Sequence, residues 1–272
     1  MALYTASINS GSNGNCYYIG NGQDALLVDA GLSCRETEIR MNKMGLNINK
    51  VRAIFITHEH TDHIKGAQLL SSRYKIPVYL NHKTHYSSHL KFKPELYRRI
   101  EHGEVIDVNG IRVTGFSKLH DAVDPFSFIA TYNDITVGVF TDIGAVCDNL
   151  TQHMRVCHAA YLEANYDEEM LENGRYPQHL KDRIRSGYGH LSNKQALDFF
   201  LAHKPQYMTH LFLAHLSRDN NNPELALNLF RQHAGDVQVH VASRYAHSDI
   251  FHITTDAAAA ATPLKAKQGV LW

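Results

Sequence analysis

The chain carries no excess of charge of either sign. Lysine plus arginine and aspartate plus glutamate number 27 each in 272 residues. It therefore lacks the long-range positive field of a strongly DNA-binding domain, and any phosphate recognition must come from a local patch. The opening segment MALYTASINSGSNGNC has no basic region followed by an apolar one, so no secretory signal is expected. No run approaches the ~20 apolar residues of a membrane span. The expectation is a cytoplasmic protein without a membrane segment. Its four cysteines, Cys16, Cys34, Cys147 and Cys157, stand far apart and form no C-x-x-C pair, so buried thiols are expected. No long repeat is visible and no linker divides the chain. The expected organisation is one domain over residues 1–255, then an alanine-rich tail over 256–272.

Hydrophobic residues at 44% and charged ones at 20% are ordinary for a globular protein with a sizeable core. The oddity is histidine, with 19 copies. Scattered histidines mean little, so position has to decide.

Three early runs, LYTASI, NCYYIG and DALLVDAG, read as strands joined by Gly/Asn turns. RETEIRMNKMG reads as a helix closed by Gly45, VRAIFIT as a buried strand, TDHIKGAQLLSSRY as one helix, and IPVYL as a strand. Further strands fall around 104–117 and in FSFIATY and DITVGVFTD. The second half adds SNKQALDFFLAHK, a helix with Ser192 and Gln195 in capping-box spacing, and NPELALNLFRQHAG, with Asn222 as N-cap before Pro223. PQYMTHLFLAHLS and DVQVHVA read as late strands. The pattern is that of a layered α/β protein.

One stretch concentrates ionisable groups: THEHTDH, residues 57–63, with the pattern H-x-H-x-D-H. At a strand end, His58 and His60 face the same way and can converge on one ion. Asp62 and His63 follow where the chain has turned into a helix, and can face a second. Two ions roughly 3.5–4 Å apart suit phosphate-ester hydrolysis. Imidazole and carboxylate donors suit zinc, with manganese or iron as alternatives. The bland reading is a polar helix start capped by Thr61 or Asp62. Two metals need more donors. His120, Asp142 and His215 each sit just past an apolar run, where strand-end loops gather into a site.

In that order, after Asp29 in LLVDAG, these residues resemble the metallo-β-lactamase fold hydrolases over roughly residues 3–245. The resemblance implies an αββα sandwich with a dinuclear metal site at the edge of its two sheets. It assigns His58, His60 and His120 to one metal, Asp62, His63 and His215 to the other, and Asp142 to the bridge. Asp29 would support the ligand loop. Glu163 in YLEANYD and His190 in GYGHLSN further resemble the pair that donates a proton to the leaving oxygen in tRNA 3′-end processing nucleases of this superfamily. SGSNGNCYYI, HDAVDPFSF, LEANYD, GYGHLSN and LAHLSRDNNNP, in order, are similar to the YycJ/WalJ subgroup. That similarity implies a 5′→3′ exonuclease acting on duplex DNA, with a role in DNA repair. Asp62, His190 and Glu163 are then the expected catalytic residues.

Only 20 residues separate Asp142 from Glu163, which leaves no room there for a β-CASP insertion. No long tRNA-gripping arm is evident. Lys181, Arg183 and Arg185 lie between Glu163 and His190. They could neutralise phosphates, or could decorate an amphipathic helix with Leu180 and Ile184 inward. Tyr74, Phe92 and Tyr97 interleave with a second basic zone as base-stacking groups or core anchors. NSGSNGNC lacks the lysine of a P-loop, but Ser10, Ser12 and Asn13 could line the cleft mouth. Alternatives to the nuclease are a small-molecule hydrolase, such as a cyclic phosphodiesterase or thiolesterase, and a non-catalytic metal-binding module. The complete donor set argues against the last.

Overall fold

Side-chain alternation sorts the strands onto two layers. In the computed structural model, which describes residues 2–255, the first sheet holds β1 (Leu3–Asn9), β2 (Cys16–Gly20), β3 (Ala25–Val28), β4 (Val51–Phe55), β5 (Val78–Leu80) and β6 (Tyr97–Arg99). The second holds β7 (Val105–Val108), β8 (Ile111–Ser117), β9 (Phe126–Tyr132), β10 (Ile135–Phe140), β11 (Ala159–Glu163), β12 (His210–Ala214) and β13 (Gln238–Val241). β14 (Phe251–Ile253) crosses back to pair with β1, giving the orders β14-β1-β2-β3-β4-β5-β6 and β13-β12-β11-β10-β9-β8-β7.

Phe55 and Ala53 of β4 and Phe212 of β12 face the core between the sheets, with Tyr17, Phe128 and Tyr161. Their neighbours Ile54 and Leu211 face outward, under helices. Strands buried on both faces read as continuous apolar runs, as VRAIF and HLFLA do. Helices α1 (Cys34–Lys43) and α3 (Ala67–Tyr74) cover the first sheet. Helices α5 (Asp148–Met154), α8 (Asn193–His203) and α9 (Pro223–Arg231) cover the second. The result is the expected αββα sandwich. α2 (Thr61–Ile64), α4 (His82–Ser88), α6 (Glu168–Asn173) and α7 (Gln178–Arg185) complete the set of described α-helices. The caps follow chemistry: Ser192 and Gln195 form the reciprocal capping box at α8, and Asn222 accepts from the first amides of α9 ahead of Pro223.

Two expectations need correction. TDHIKGAQLLSSRY is two helices, α2 and α3, because the chain breaks at Gly66. The Gly66 amide donates to the Ala30 carbonyl at 2.7 Å instead of continuing a helix. A Cβ there would fall 2.1 Å from the Leu32 carbonyl oxygen. Cys147 is only half-buried, whereas the other three cysteines are buried as expected. The tail at 256–272 lies outside the described residues. Among those residues no helix is long and apolar enough to cross a membrane.

β3 to β6 run parallel in one sheet and β10 to β13 in the other. Loops at the carboxyl ends of parallel strands are where α/β sheets build sites. Here both sheets contribute. Asp29 follows β3, His58 follows β4, Asp142 follows β10, Glu163 ends β11 and His215 follows β12.

Candidate metal centre

Three of these residues hold left-handed backbone conformations without being glycine: Asp29 at φ 60°, Asp142 at φ 55° and His215 at φ 54°. Each turns the chain sharply where a strand ends. Such conformations cost roughly 1–3 kcal/mol each and persist only where the surroundings fix them. The surroundings do. Buried Lys118 donates from Nζ to the Thr141 carbonyl at 2.6 Å, pinning the residue before Asp142. Glu163, fully buried, accepts from the amides of Asp142 at 3.2 Å and Ile143 at 2.8 Å. The His215 amide donates to Ser10 Oγ at 2.8 Å.

The THEHTDH turn is fixed from below. Asp29 accepts from the Thr57 amide and hydroxyl at 2.8 and 3.0 Å and lies 2.7 Å from His63 Nδ1. It supports the loop and leaves His63 Nε2 facing the centre. Gly31 lets the turn approach closely: a Cβ there would lie 1.6 Å from the Asp62 carbonyl oxygen. Asn15 ties the pieces together, with its amide donating to that carbonyl at 2.7 Å and its Nδ2 to Asp62 Oδ2 at 3.2 Å. The capping reading of the motif fails, because α2 opens at His60 without a side-chain cap.

The donors fall into groups whose ligand atoms lie within 4.8 Å of one another. One is His58, His60 and His120; another is Asp62, His63 and His215; Asp142 joins His58 of the first and His63 of the second. Asp142 Oδ2 is 3.2 Å from His63 Nε2, and its Oδ1 is 3.4 Å from His215 Nδ1. All seven residues picked from the sequence converge. Asp142, Glu163, His190 and His215 form a fourth such group.

These residues fit a bound cation. His120 Nε2 and His215 Nε2 are buried with no hydrogen-bond partner among the described residues, and buried Asp142 Oδ2 has only the ion-pair contact with His63. Their opposite atoms are held: His120 Nδ1 lies 3.1 Å from the Gly189 carbonyl oxygen and His215 Nδ1 lies 3.0 Å from Glu163 Oε1. Metal-ligating imidazoles are commonly oriented in this way from behind. The electrostatics agree. Burial disfavours charge on His215, but Asp142, Asp62 and Glu163 overcome it and push its pKa up to about 10. His63 is likewise raised, against its burial, by Asp142, Asp29 and Asp62. Burial resists charge on Glu163 too, yet His190 and His215 bring it down to about 2. Burial holds His58 well below the usual range and His120 at about 4. The same carboxylates that favour positive charge on His63 and His215 would favour a bound cation, and its binding would displace protons from these rings.

His190 stands beside this centre, 21% exposed, with Nδ1 2.8 Å from Glu163 Oε1. Its ring centroid is 5.3 Å from those of both His120 and His215. It lines a cavity with Ser12, Tyr176 and Arg183. Of the three basic residues noted on α7, only Arg183 reaches this cavity, and its guanidinium is paired to Asp121 at 2.5 Å. Arg185 pairs with Glu172, and the buried Lys181 donates to the Glu172 carbonyl. Tyr74, Phe92 and Tyr97 pack against the outer core of the first sheet, as anchors. Sequence reasoning missed Asn15, Thr57 and Lys118. Their signal is only that polar residues sit within or next to apolar strand ends.

Residues 10–145 match the metallo-β-lactamase superfamily. The chain belongs to that superfamily. It is 38% identical over 231 residues to the exodeoxyribonuclease YycJ of Bacillus anthracis, covering 83% of this chain and 87% of the relative. It is 34% identical over 222 residues to the exodeoxyribonuclease WalJ of Streptococcus pneumoniae, covering 80% and 82%. The metallo-β-lactamase fold protein YhfI from Bacillus subtilis superposes with a TM-score of 0.70 at 15% identity, over 93% of this chain and 100% of that one, which shows the shared fold. The chain is therefore a hydrolase of the metallo-β-lactamase fold, a fold that implies divalent metal ions.

Proposed function

We propose that this hydrolase is a dinuclear metal-dependent phosphodiesterase acting on DNA, an exonuclease of 5′→3′ polarity serving DNA repair in the cytoplasm. The observation that carries the reading is the His190–Glu163 pair set against two donor groups that share Asp142. The YycJ and WalJ relatives, named exodeoxyribonucleases, support the choice of substrate. His58, His60 and His120 would hold one ion, Asp62, His63 and His215 the other, and Asp142 both, with zinc or manganese suited to these donors and iron an alternative. When bound, such ions supply Lewis acidity and an activated water at neutral pH.

The chain's own residues do the rest. Asp62, 21% exposed at its side chain, orients the attacking water. His190 gives its Nε2 proton to the departing oxygen. Glu163 accepts from Nδ1, which keeps the ring in the correct orientation and stabilises its charged form. Asn15 and Asp29 hold Asp62 and His63 in place.

One observation favours a small-molecule hydrolase instead: Arg183, the basic residue beside His190, is already neutralised by Asp121. A substrate panel separates the two. The metal-loaded protein is given duplex DNA, single strands, bis(p-nitrophenyl) phosphate and thioesters. Fastest turnover of DNA with release of nucleotides supports the proposal. Thioester turnover with intact DNA sinks it.

A further inference from the structure

A second cavity, about 240 Å³, opens next to the metal centre. Leu216, Val241 and Ala242 give it apolar walls, Ser10 closes it toward the centre, and Arg244 and Tyr245 stand at its mouth. It is coupled to the site through short links. Ser10 Oγ accepts the amide of His215 at 2.8 Å, and the Ser10 amide donates to the Ser243 carbonyl at 3.1 Å. Asn13 Nδ2 donates to the Arg244 carbonyl at 2.7 Å. The loop after β13 is thus tied to the same Gly-rich loop that fixes Asp62.

Its chemistry is specific in kind. No carboxylate lines it. Arg218 shares its charge with Asp219, but Arg244 makes no ion pair among the described residues. The Arg244 guanidinium lies 5.9 Å from the Tyr245 ring centroid, and Tyr245 is 72% exposed. The guanidinium does donate from one Nη to the Leu216 carbonyl at 3.4 Å, which anchors it beside the cavity without cancelling its charge. An exposed aromatic beside a guanidinium with no carboxylate partner, over an apolar floor, matches a base carried on a phosphate backbone. The volume is below the ~300 Å³ of drug-sized sites, which suits one heterocycle. The nearest amide that could read a base edge is already used: Asn221 donates to the carbonyls of Ala164 and Asn165 and accepts from Asn193.

We infer that this cavity holds the base of a nucleotide adjoining the scissile phosphate, with Tyr245 stacking on the base and Arg244 meeting its backbone phosphate. This rests on the nucleic-acid reading of the centre. Recognition by stacking makes the subsite tolerant of base identity.

The test is a double-mutant cycle between protein and substrate, with the metal-loaded full chain. Oligonucleotides carry a normal base or an abasic residue on either side of the scissile bond, one at a time. On the normal substrate, Tyr245→Ala raises KM roughly tenfold, the loss of one base stack, and Tyr245→Trp keeps it near wild type. At one of the two positions, base removal raises the wild-type KM by a similar factor and leaves that of Tyr245→Ala unchanged. A penalty for base removal that persists undiminished in Tyr245→Ala overturns the inference, as does an unchanged KM on the normal substrate. A second arm titrates dAMP into both proteins by calorimetry. Wild type that binds dAMP but leaves DNA intact, with binding lost in Tyr245→Ala, removes the nuclease reading and keeps the subsite. DNA cleavage with unchanged Tyr245→Ala removes the subsite alone.

Discussion

Glu163 Oε1 stands 3.0 Å from Nδ1 of His215. The same oxygen is 2.8 Å from Nδ1 of His190 and accepts the Asp142 amide at 3.2 Å. One fully buried carboxylate therefore orients a candidate ligand, the candidate proton donor and the turn carrying the candidate bridge. Its other oxygen accepts the amides of Ile143 and Leu191.

Oε1 accepts the Asp142 amide and Oε2 accepts those of Ile143 and Leu191, so Glu163→Gln must turn an NH2 against at least one backbone donor. A buried donor facing a donor, with the charge also lost, costs about 3 kcal/mol. Misorienting His215 should lower metal affinity by roughly 10–100-fold. Urea unfolding and metal analysis after dialysis check both effects. Wild-type stability with full metal retention would contradict the positioning role.

Gly31→Ala sets a methyl on the Asp62 carbonyl oxygen, where 1.6 Å of space exists. The contact is backbone to backbone, so relief requires moving the metal loop. We expect a loss of about 3 kcal/mol or more in urea unfolding, together with weakened metal retention. An alanine variant as stable and as metal-rich as wild type would show that Gly31 does not set the approach.

His240, packed among Phe212, Phe251 and His210, has its pKa lowered by burial and by Arg231 to about 4. Because the folded value lies below the unfolded ~6.5, the native state binds fewer protons between the two. Its contribution is complete above pH ~6.5 and is lost as pH falls toward 4. Wild type should lose on the order of 2 kcal/mol over that interval relative to His240→Phe, read from parallel urea titrations at several pH values. Parallel curves for the two proteins would remove His240 as a source of acid sensitivity.

Much of this was legible in the sequence, for a physical reason. The candidate donors gather at strand ends, and strands buried on both faces announce their ends by the loss of apolar residues. His58, Asp142 and His215 were visible in that way. Spacing alone could not bring His120 beside His58, where their rings are 5.0 Å apart, because that contact joins β4 of one sheet to β8 of the other. The short helices α4 to α6 escaped because six or seven residues give too little periodicity. The break at Gly66 escaped because it answers to Ala30 and Leu32, over thirty residues away in sequence. Nothing in the sequence around Lys118 marks it, and only the fold buries it beside the Asp142 turn.

The most direct measurement compares wild type and His190→Ala on end-labelled duplex DNA, with metal content determined on the same samples. His190 lies beside both donor groups but belongs to neither metal triad, so the account predicts two ions per chain in both proteins. It predicts nucleotide release by wild type and a rate lower by a factor of 100 or more in the variant, the usual scale of lost proton donation. Full-speed cleavage by His190→Ala, or intact DNA after incubation with the two-metal wild type, would contradict it.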